Sequence, residues 1–278
     1  MIRQKIIHCS PYGKKSKYIE VDLYPVADRP IIKRGRGKKH NVSTPTQAAL
    51  NTKNAVRYLN QLCKTNFTNK DYHLTLTYDI PPENLEEAEK EFKNYIRRVN
   101  HRRKTKGLQN VKYICVTEIT NNGRIHHHVI IEGGLGRDET ETIWSKERIN
   151  WRLYDKEAAE GKSEYADSIK LIGYANTKRL QFDNKGIEAL AKYLSKEPQG
   201  KRRWKQSKNL IKPWYKTPSD GKYSRRKIEY MATLPPDCEE VKRYWEKKYK
   251  GYILDEALPE YNAVVGQWSI YLKMHLRE

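Results

Sequence analysis

One stretch constrains this chain more than any other. It runs from Val116-Thr117-Glu118 to Gly123-Arg124-Ile125-His126-His127-His128-Val129-Ile130-Ile131. The β-branched residues and the flanking glycine predict strands. Asn121-Asn122-Gly123 predicts a turn that folds the strand Tyr113 to Ile119 antiparallel to the next one. In a strand, residues two apart share a face. His126 and His128 therefore point to one side and His127 to the other. Across the turn, Glu118 is placed to bring an oxygen beside the two imidazoles. Two neutral imidazoles and one carboxylate leave open positions on a divalent ion, where a substrate can bind.

The charge narrows the partner. The 278 residues carry 55 Lys and Arg against 34 Asp and Glu, a formal net charge of +21. Such an excess predicts a polyanion, with nucleic acid first and an anionic membrane second. No apolar run approaches the roughly 18 residues needed to span a bilayer, and the first residues lack the apolar core of a signal peptide. The four cysteines, Cys9, Cys63, Cys115 and Cys238, have no CxxC spacing. They predict neither a disulfide scaffold nor a zinc knuckle, and a reducing cytoplasm is the expected home.

Along the chain, residues 1–66 read as a basic N-terminal extension with a strand at Tyr18–Tyr24, the basic loop Lys33–His40 and a helix from Thr46 to Lys64. Residues 67–212 read as the core. It starts with the alternating strand Tyr72–Tyr78. A long helix follows Pro81-Pro82, with Leu85, Ala88, Phe92, Tyr95, Ile96 and Val99 as its apolar stripe. Glutamates fill its first half, while Arg97, Arg98, Arg102, Arg103 and Lys104 fill its end, matching the helix dipole on a solvated face. Gly107 is placed to stop it. After the histidine hairpin come a strand at Ile169–Tyr174, a helix from Lys185 to Lys196, and a basic strand at Lys201–Lys208. Residues 213–278 read as a C-terminal extension whose closing strand, Val264–Lys273, returns to the core. Strand, helix, two strands, helix and strand in that order predict an α+β fold, an antiparallel sheet backed by helices in the ferredoxin-like manner. No segment has the GxxxxGK[ST] spacing of a nucleotide-binding loop, so no ATP-driven motor is expected.

Three motifs stand in sequence: Leu74-Thr75-Leu76-Thr77, His126-His127-His128, and Tyr193-x-x-Lys196. In this order they resemble those of the HUH endonucleases, and specifically the single-tyrosine rolling-circle replication initiators of bacterial phages and plasmids. The resemblance covers about residues 70 to 278. Its middle motif departs from the family pattern at His127, where a hydrophobic residue is usual. Some relatives carry a second tyrosine four residues after the first, where this chain has Glu197.

The resemblance implies a cleavage of single-stranded DNA at a replication origin, with a hairpin as one form that the origin can take. Mg²⁺ or Mn²⁺ held by Glu118, His126 and His128 would polarise the scissile phosphate, and Tyr193 would attack it. A 5′-phosphotyrosine and a free 3′-hydroxyl would result, the latter priming a host polymerase behind a host helicase in the bacterial cytoplasm. Lys196, one helical turn from Tyr193, would stabilise the charge that develops. Arg202, Arg203, Lys205 and Lys208 are expected to grip DNA on the face that holds the histidines. Two other readings compete with this one. The first is a relaxase- or transposase-type HUH enzyme, although relaxases usually place the tyrosine before the histidines. The second is a non-catalytic single-strand-binding sheet, which explains the charge but gives Glu118, His126 and His128 no task.

Overall fold

The computed structural model describes residues 1–10, 15–26, 44–182, 187, 203–263 and 265–277. It divides into two units. One holds Met1–Asn66, Asp183–Glu188 and Ile211–Glu278; the other holds Phe67–Phe182 and Ala189–Leu210.

The first unit starts with β1 (Ile2–His8) and β2 (Tyr18–Pro25), an antiparallel pair from Ile2↔Pro25 to His8↔Ile19. A helix follows, α1 (Pro45–Asn66). It meets the sheet through polar groups. Arg57 bonds Glu20 at 3.0 Å and Asp22 at 2.9 Å and lies over the Tyr271 ring, and Gln61 donates to Glu20.

The second unit contains β3 (Tyr72–Leu76), α2 (Leu85–Thr105), β4 (Tyr113–Ile119) and β5 (Ile125–Ile131). Three short helices, α3 (Arg137–Thr142), α4 (Trp151–Ala159) and α5 (Glu164–Ser168), precede β6 (Ala175–Arg179) and β7 (Lys205–Gln206). The sheet order is β6-β3-β5-β4-β7, antiparallel throughout.

Local chemistry explains the long helix. Asn84 caps α2 by accepting from the Glu87 N–H at 2.9 Å, and Glu86 and Glu87 occupy its first turn. Ala88, Phe92, Tyr95, Ile96 and Val99 recur at helical spacing and are buried. They pack on Leu74, Leu76, Cys115, Val129 and Ile131, the apolar face of the sheet. Each fully buried Leu or Phe is worth roughly 2–3 kcal/mol, so the apolar contacts of α2 with the sheet are a main source of this unit's stability.

The end of α2 departs from the expectation of a solvated cationic face. Arg102 and Arg103 are buried. Arg102 binds Glu139 and Asp155 and stacks on Trp151, 4.1 Å from its ring centre. Arg103 bonds the Glu132 carboxylate at 2.9 Å and the Gln109 and Gly133 carbonyls. Both arginines tie the helix to the loops beside it.

A second departure concerns the strand expected at Ile169–Tyr174. That segment makes only an isolated bridge, Ser145↔Leu171, and the true strand is the polar β6 that follows. Ile172 instead plugs the core, and Gly173 lies so close to the Thr77 carbonyl that a Cβ would sit 2.5 Å from its oxygen. Burial draws in the isoleucine while backbone crowding selects the glycine.

Past residue 210 the chain rejoins the first unit with β8 (Trp214–Tyr215), β9 (Ser219–Asp220), α6 (Arg225–Thr233), α7 (Glu239–Lys248), β10 (Tyr252–Asn262) and β11 (Gln267–Leu276). The order is β10-β11-β2-β1-β8, with β9 also paired to β1. Ile228, Met231, Val241 and Trp245 of the two helices pack on Val21, Leu23, Leu272 and Met274. The closing strand, expected to return to the histidine-bearing core, pairs instead with β2, Leu272 opposite Val21, in the other sheet. Ile270, Leu272 and Met274 offer the apolar row that matches Ile19, Val21 and Leu23.

Among the described residues the chain is α+β, with two antiparallel sheets and seven helices. No helix among them is long and apolar enough to cross a membrane.

Candidate functional site

The hairpin β4–β5 sets the site. Gly123, at φ +74°, lets the chain reverse, and the Thr120 N–H bonds the Arg124 carbonyl at 2.9 Å. Pairing then runs Glu118↔His126 and Val116↔His128, with Thr75↔His128 on the other side of β5. Paired residues of an antiparallel ladder share a face. Glu118, His126, His128 and Thr75 therefore share the face opposite α2.

His128 Nε2 and Glu118 Oε2 approach to 3.2 Å, while Thr75 Oγ1 stands 3.5 Å from His128 Nδ1. The His126 and His128 rings are stacked with centroids 6.5 Å apart. A further imidazole shares the face. His73 stacks on His128 at 5.8 Å, and its buried Nε2 has no hydrogen-bond partner among the described residues. Burial foremost, with the nearby His128, lowers the His73 pKa to about 4, so it is a neutral ring near neutral pH.

Imidazole nitrogen and carboxylate oxygen are donor types that a divalent cation accepts. An imidazole nitrogen and a carboxylate oxygen converge, and an orphaned imidazole nitrogen lies on the same face. Among the described residues no three His, Cys, Asp or Glu side chains are gathered closely enough to hold an ion. His126 shares the face without closing on the Glu118–His128 pair.

His127 occupies the other face and is fully buried among Phe92, Tyr78 and Trp144. Its Nε2 lies 2.8 Å from the Tyr78 hydroxyl, which donates in turn to the Ala88 carbonyl, and Thr117 Oγ1 is 3.0 Å from Nδ1. One proton arrangement satisfies all three contacts: the ring donates from Nε2 to Tyr78 and accepts at Nδ1 from Thr117. Burial foremost, with the Lys205 charge, lowers its pKa to about 3. His127 is thus a neutral core residue bound to its neighbours. Tyr78→Phe is expected to cost about 1–3 kcal/mol, because it leaves a buried imidazole N–H unpaired. A urea melt checks this, and a loss under roughly 0.5 kcal/mol would dissolve the network.

Of the four residues expected to grip DNA beside the histidines, Lys205 is placed otherwise. It pairs with Cys115, on the α2 face, and its ammonium forms an ion pair with the Glu89 carboxylate at 2.5 Å. Strand alternation from Cys115, a core residue, decides this orientation. Arg203 is half-buried and Lys208 is exposed in a turn. Tyr193, Lys196, Glu197 and Arg202 lie outside the described residues. The site face also carries residues that the motifs did not single out: His73, and across β6 Asn176 opposite Thr75 and the exposed Lys178 opposite His73. The alternation Tyr72-His73-Leu74-Thr75 held the signal for His73. Nothing in the polar β6 marked it as a strand.

No curated protein and no solved structure matches the chain significantly. Residues 71–198, a little under half of the chain, match the model of a family of replication-associated proteins of the ORF2 type, and the matched stretch takes in β3, the histidine hairpin and Tyr193.

Proposed function

We propose that this chain cuts and rejoins single-stranded DNA at a replication origin and so starts rolling-circle replication. One observation carries the reading: within a stretch similar to replication-associated proteins, Glu118, His126 and His128 share one sheet face, with a carboxylate–imidazole contact of 3.2 Å.

Tyr193 is the nucleophile in this reading. Its phenolic oxygen bonds to the scissile phosphorus as the bond from phosphorus to the 3′-oxygen breaks. The phenolic proton is lost, and the departing oxygen takes up a proton to become the 3′-hydroxyl. The 5′-phosphotyrosine keeps the phosphodiester energy for rejoining. Lys196 steadies the negative charge of the attacking and transferring groups. Glu118, His126 and His128 would hold Mg²⁺ or Mn²⁺, which supplies charge neutralisation at the scissile phosphate. His127 takes no part, since its ring is spent on Tyr78 and Thr117. The free 3′-hydroxyl is a primer for a host polymerase, with a host helicase to open the duplex.

The test is a denaturing gel. The purified protein, given a pool of single-stranded oligonucleotides and Mn²⁺, is expected to form a covalent adduct and release a fragment whose 3′ end a polymerase extends. Binding without any adduct would favour a single-strand-binding protein over an enzyme.

Chelation gives a further expected result. EDTA should abolish the adduct while the melting temperature stays within about 2 °C, because the α2–sheet core is apolar and two imidazoles with one carboxylate are too few to close a structural zinc site. A large fall in melting temperature would make the ion structural. An adduct that survives EDTA would mean that the histidines act without a metal.

A further inference from the structure

Most of the positive charge belongs to the chain segments outside the histidine-bearing unit. Residues 1–66 and 211–278 hold 27 Lys and Arg against 13 Asp and Glu, which is +14 of the chain's +21. Nothing in the proposed cleavage uses that surplus.

Part of it is gathered at one place in the first unit. A shallow recess at the end of α7 is lined by Arg243, Lys247, Lys250 and Arg277 around Glu246. Lys15 joins them, with its Nζ 3.8 Å from where a side chain on Gly251 would begin. The turn at Gly251 holds the group together: the Arg277 N–H bonds the Gly251 carbonyl at 2.8 Å, and the Tyr252 hydroxyl bonds the Ser16 carbonyl at 3.0 Å. Two of the cations are compensated, Arg243 by Glu239 at 2.9 Å and Arg277 by Glu246 at 2.8 Å. Lys247 and Lys250 are exposed and make no ion pair among the described residues.

The surroundings say which part of a polyanion fits. The nearby Tyr244 ring is capped by Lys227 at 4.5 Å and approached by Lys248 at 5.7 Å, so cations rather than bases occupy its faces. The recess thus offers exposed ammonium groups, and the ring that lines it, Tyr252, is half-buried with its hydroxyl bonded to the Ser16 carbonyl. Such a surface reads phosphates and not sequence.

We propose that this recess is a second DNA contact, one that binds the phosphodiester backbone without regard to sequence and holds the DNA while the histidine-bearing unit acts. The assignment rests on the reading of the chain as a DNA-processing protein. Each ammonium that meets a phosphate displaces a condensed counterion, which ties affinity to salt.

The experiment uses the full chain and the double substitution Lys247→Ala/Lys250→Ala, with Lys90→Ala/Lys93→Ala on the exposed side of α2 as a control of equal charge. Binding to a labelled oligonucleotide of about 30 nucleotides, single-stranded in one arm and duplex in the other, is followed from about 50 to 300 mM salt. At about 0.1 M salt the recess variant should bind at least roughly fivefold more weakly, and its slope of log affinity against log salt should fall by about 1.4 on single strands or about 1.8 on duplex. The arm with the larger loss names the DNA form that occupies the recess. Adduct formation on a short oligonucleotide at saturating protein should stay within about twofold of the parent, since both lysines lie outside the proposed chemistry. An unchanged slope in both arms, or an equal loss in the control, overturns the proposal. So does a loss of binding to anionic lipid vesicles with DNA binding intact. If the parent chain forms no adduct, the cleavage reading fails, while the slopes still decide the recess.

Discussion

Tyr193→Phe is expected to abolish the covalent protein–DNA adduct, by at least roughly 10³-fold, and to leave single-strand affinity within about twofold. The substitution removes one oxygen. That oxygen is the only atom through which the side chain can bond to phosphorus, so the effect falls on chemistry and not on binding. Lys196→Ala should do less, roughly 10²-fold, because a neighbouring charge stabilises a reaction that the nucleophile still performs. The measurement is a denaturing gel with labelled oligonucleotide, followed by mass spectrometry of the adduct peptide. An adduct that persists in the phenylalanine variant, or a modified tyrosine elsewhere among the chain's 20, would remove Tyr193 from the mechanism. Single-strand binding that collapses along with the adduct would leave the result uninformative about chemistry, which is why the affinity is measured beside it.

The second large effect is structural. Arg102→Ala should destabilise the histidine-bearing unit by about 3–5 kcal/mol, since breaking a buried ion pair strands the partner charge. The guanidinium bonds Glu139 through Nε at 2.8 Å and Asp155 through Nη1 at 3.0 Å, and its plane lies on Trp151. Glu139 also accepts from Lys106 at 2.7 Å. Arg102→Lys should recover only part of the loss, because an ammonium cannot reproduce the fork or the stacking.

Acid should erase the difference. Burial pushes the Glu139 carboxyl upward, but Lys106, the Gly136 N–H and Arg102 together hold it below its ordinary pKa of 4.5. A depressed carboxylate contributes stability above the unfolded value and loses it as pH falls through the folded one. The gap between parent and variant should therefore be widest near neutral pH and should shrink below pH 4.5. Urea melts at both ends of that range decide it. A loss below about 1 kcal/mol at neutral pH would mean that Glu139 and Asp155 find other partners.

What could be read in the sequence was what depends on neighbours along the chain. Alternation in Ile125–Ile131 separated His126 and His128 from His127, and the structure shows the same separation. The stripe Ala88, Phe92, Tyr95, Ile96 and Val99 announced α2 and the face it buries. Less was legible where the pattern is weak. The strand β6, Ala-Asn-Thr-Lys-Arg, has no alternation of polarity, and it forms because β3 offers it an unpaired edge. Helices α6 and α7 bury short stripes, Ile228, Met231 and Ala232 in one and Val241 and Trp245 in the other. The Pro-, Tyr- and Lys-rich composition around them hides that spacing.

By itself, then, the sequence determined the faces: which side of a strand or helix each residue takes follows from local backbone geometry, and so did the common side of Glu118, His126 and His128. Only the tertiary structure decided the partners. That β11 pairs with β2 across some 250 residues, that Arg102 is buried against Glu139 and Asp155, and that Lys205 turns toward α2 and away from His126 and His128 all depend on contacts between segments far apart in the chain. Periodicity carries no information about such contacts, because many segments can complement one apolar row or one carboxylate, and the choice among them is made by the packing of the whole unit.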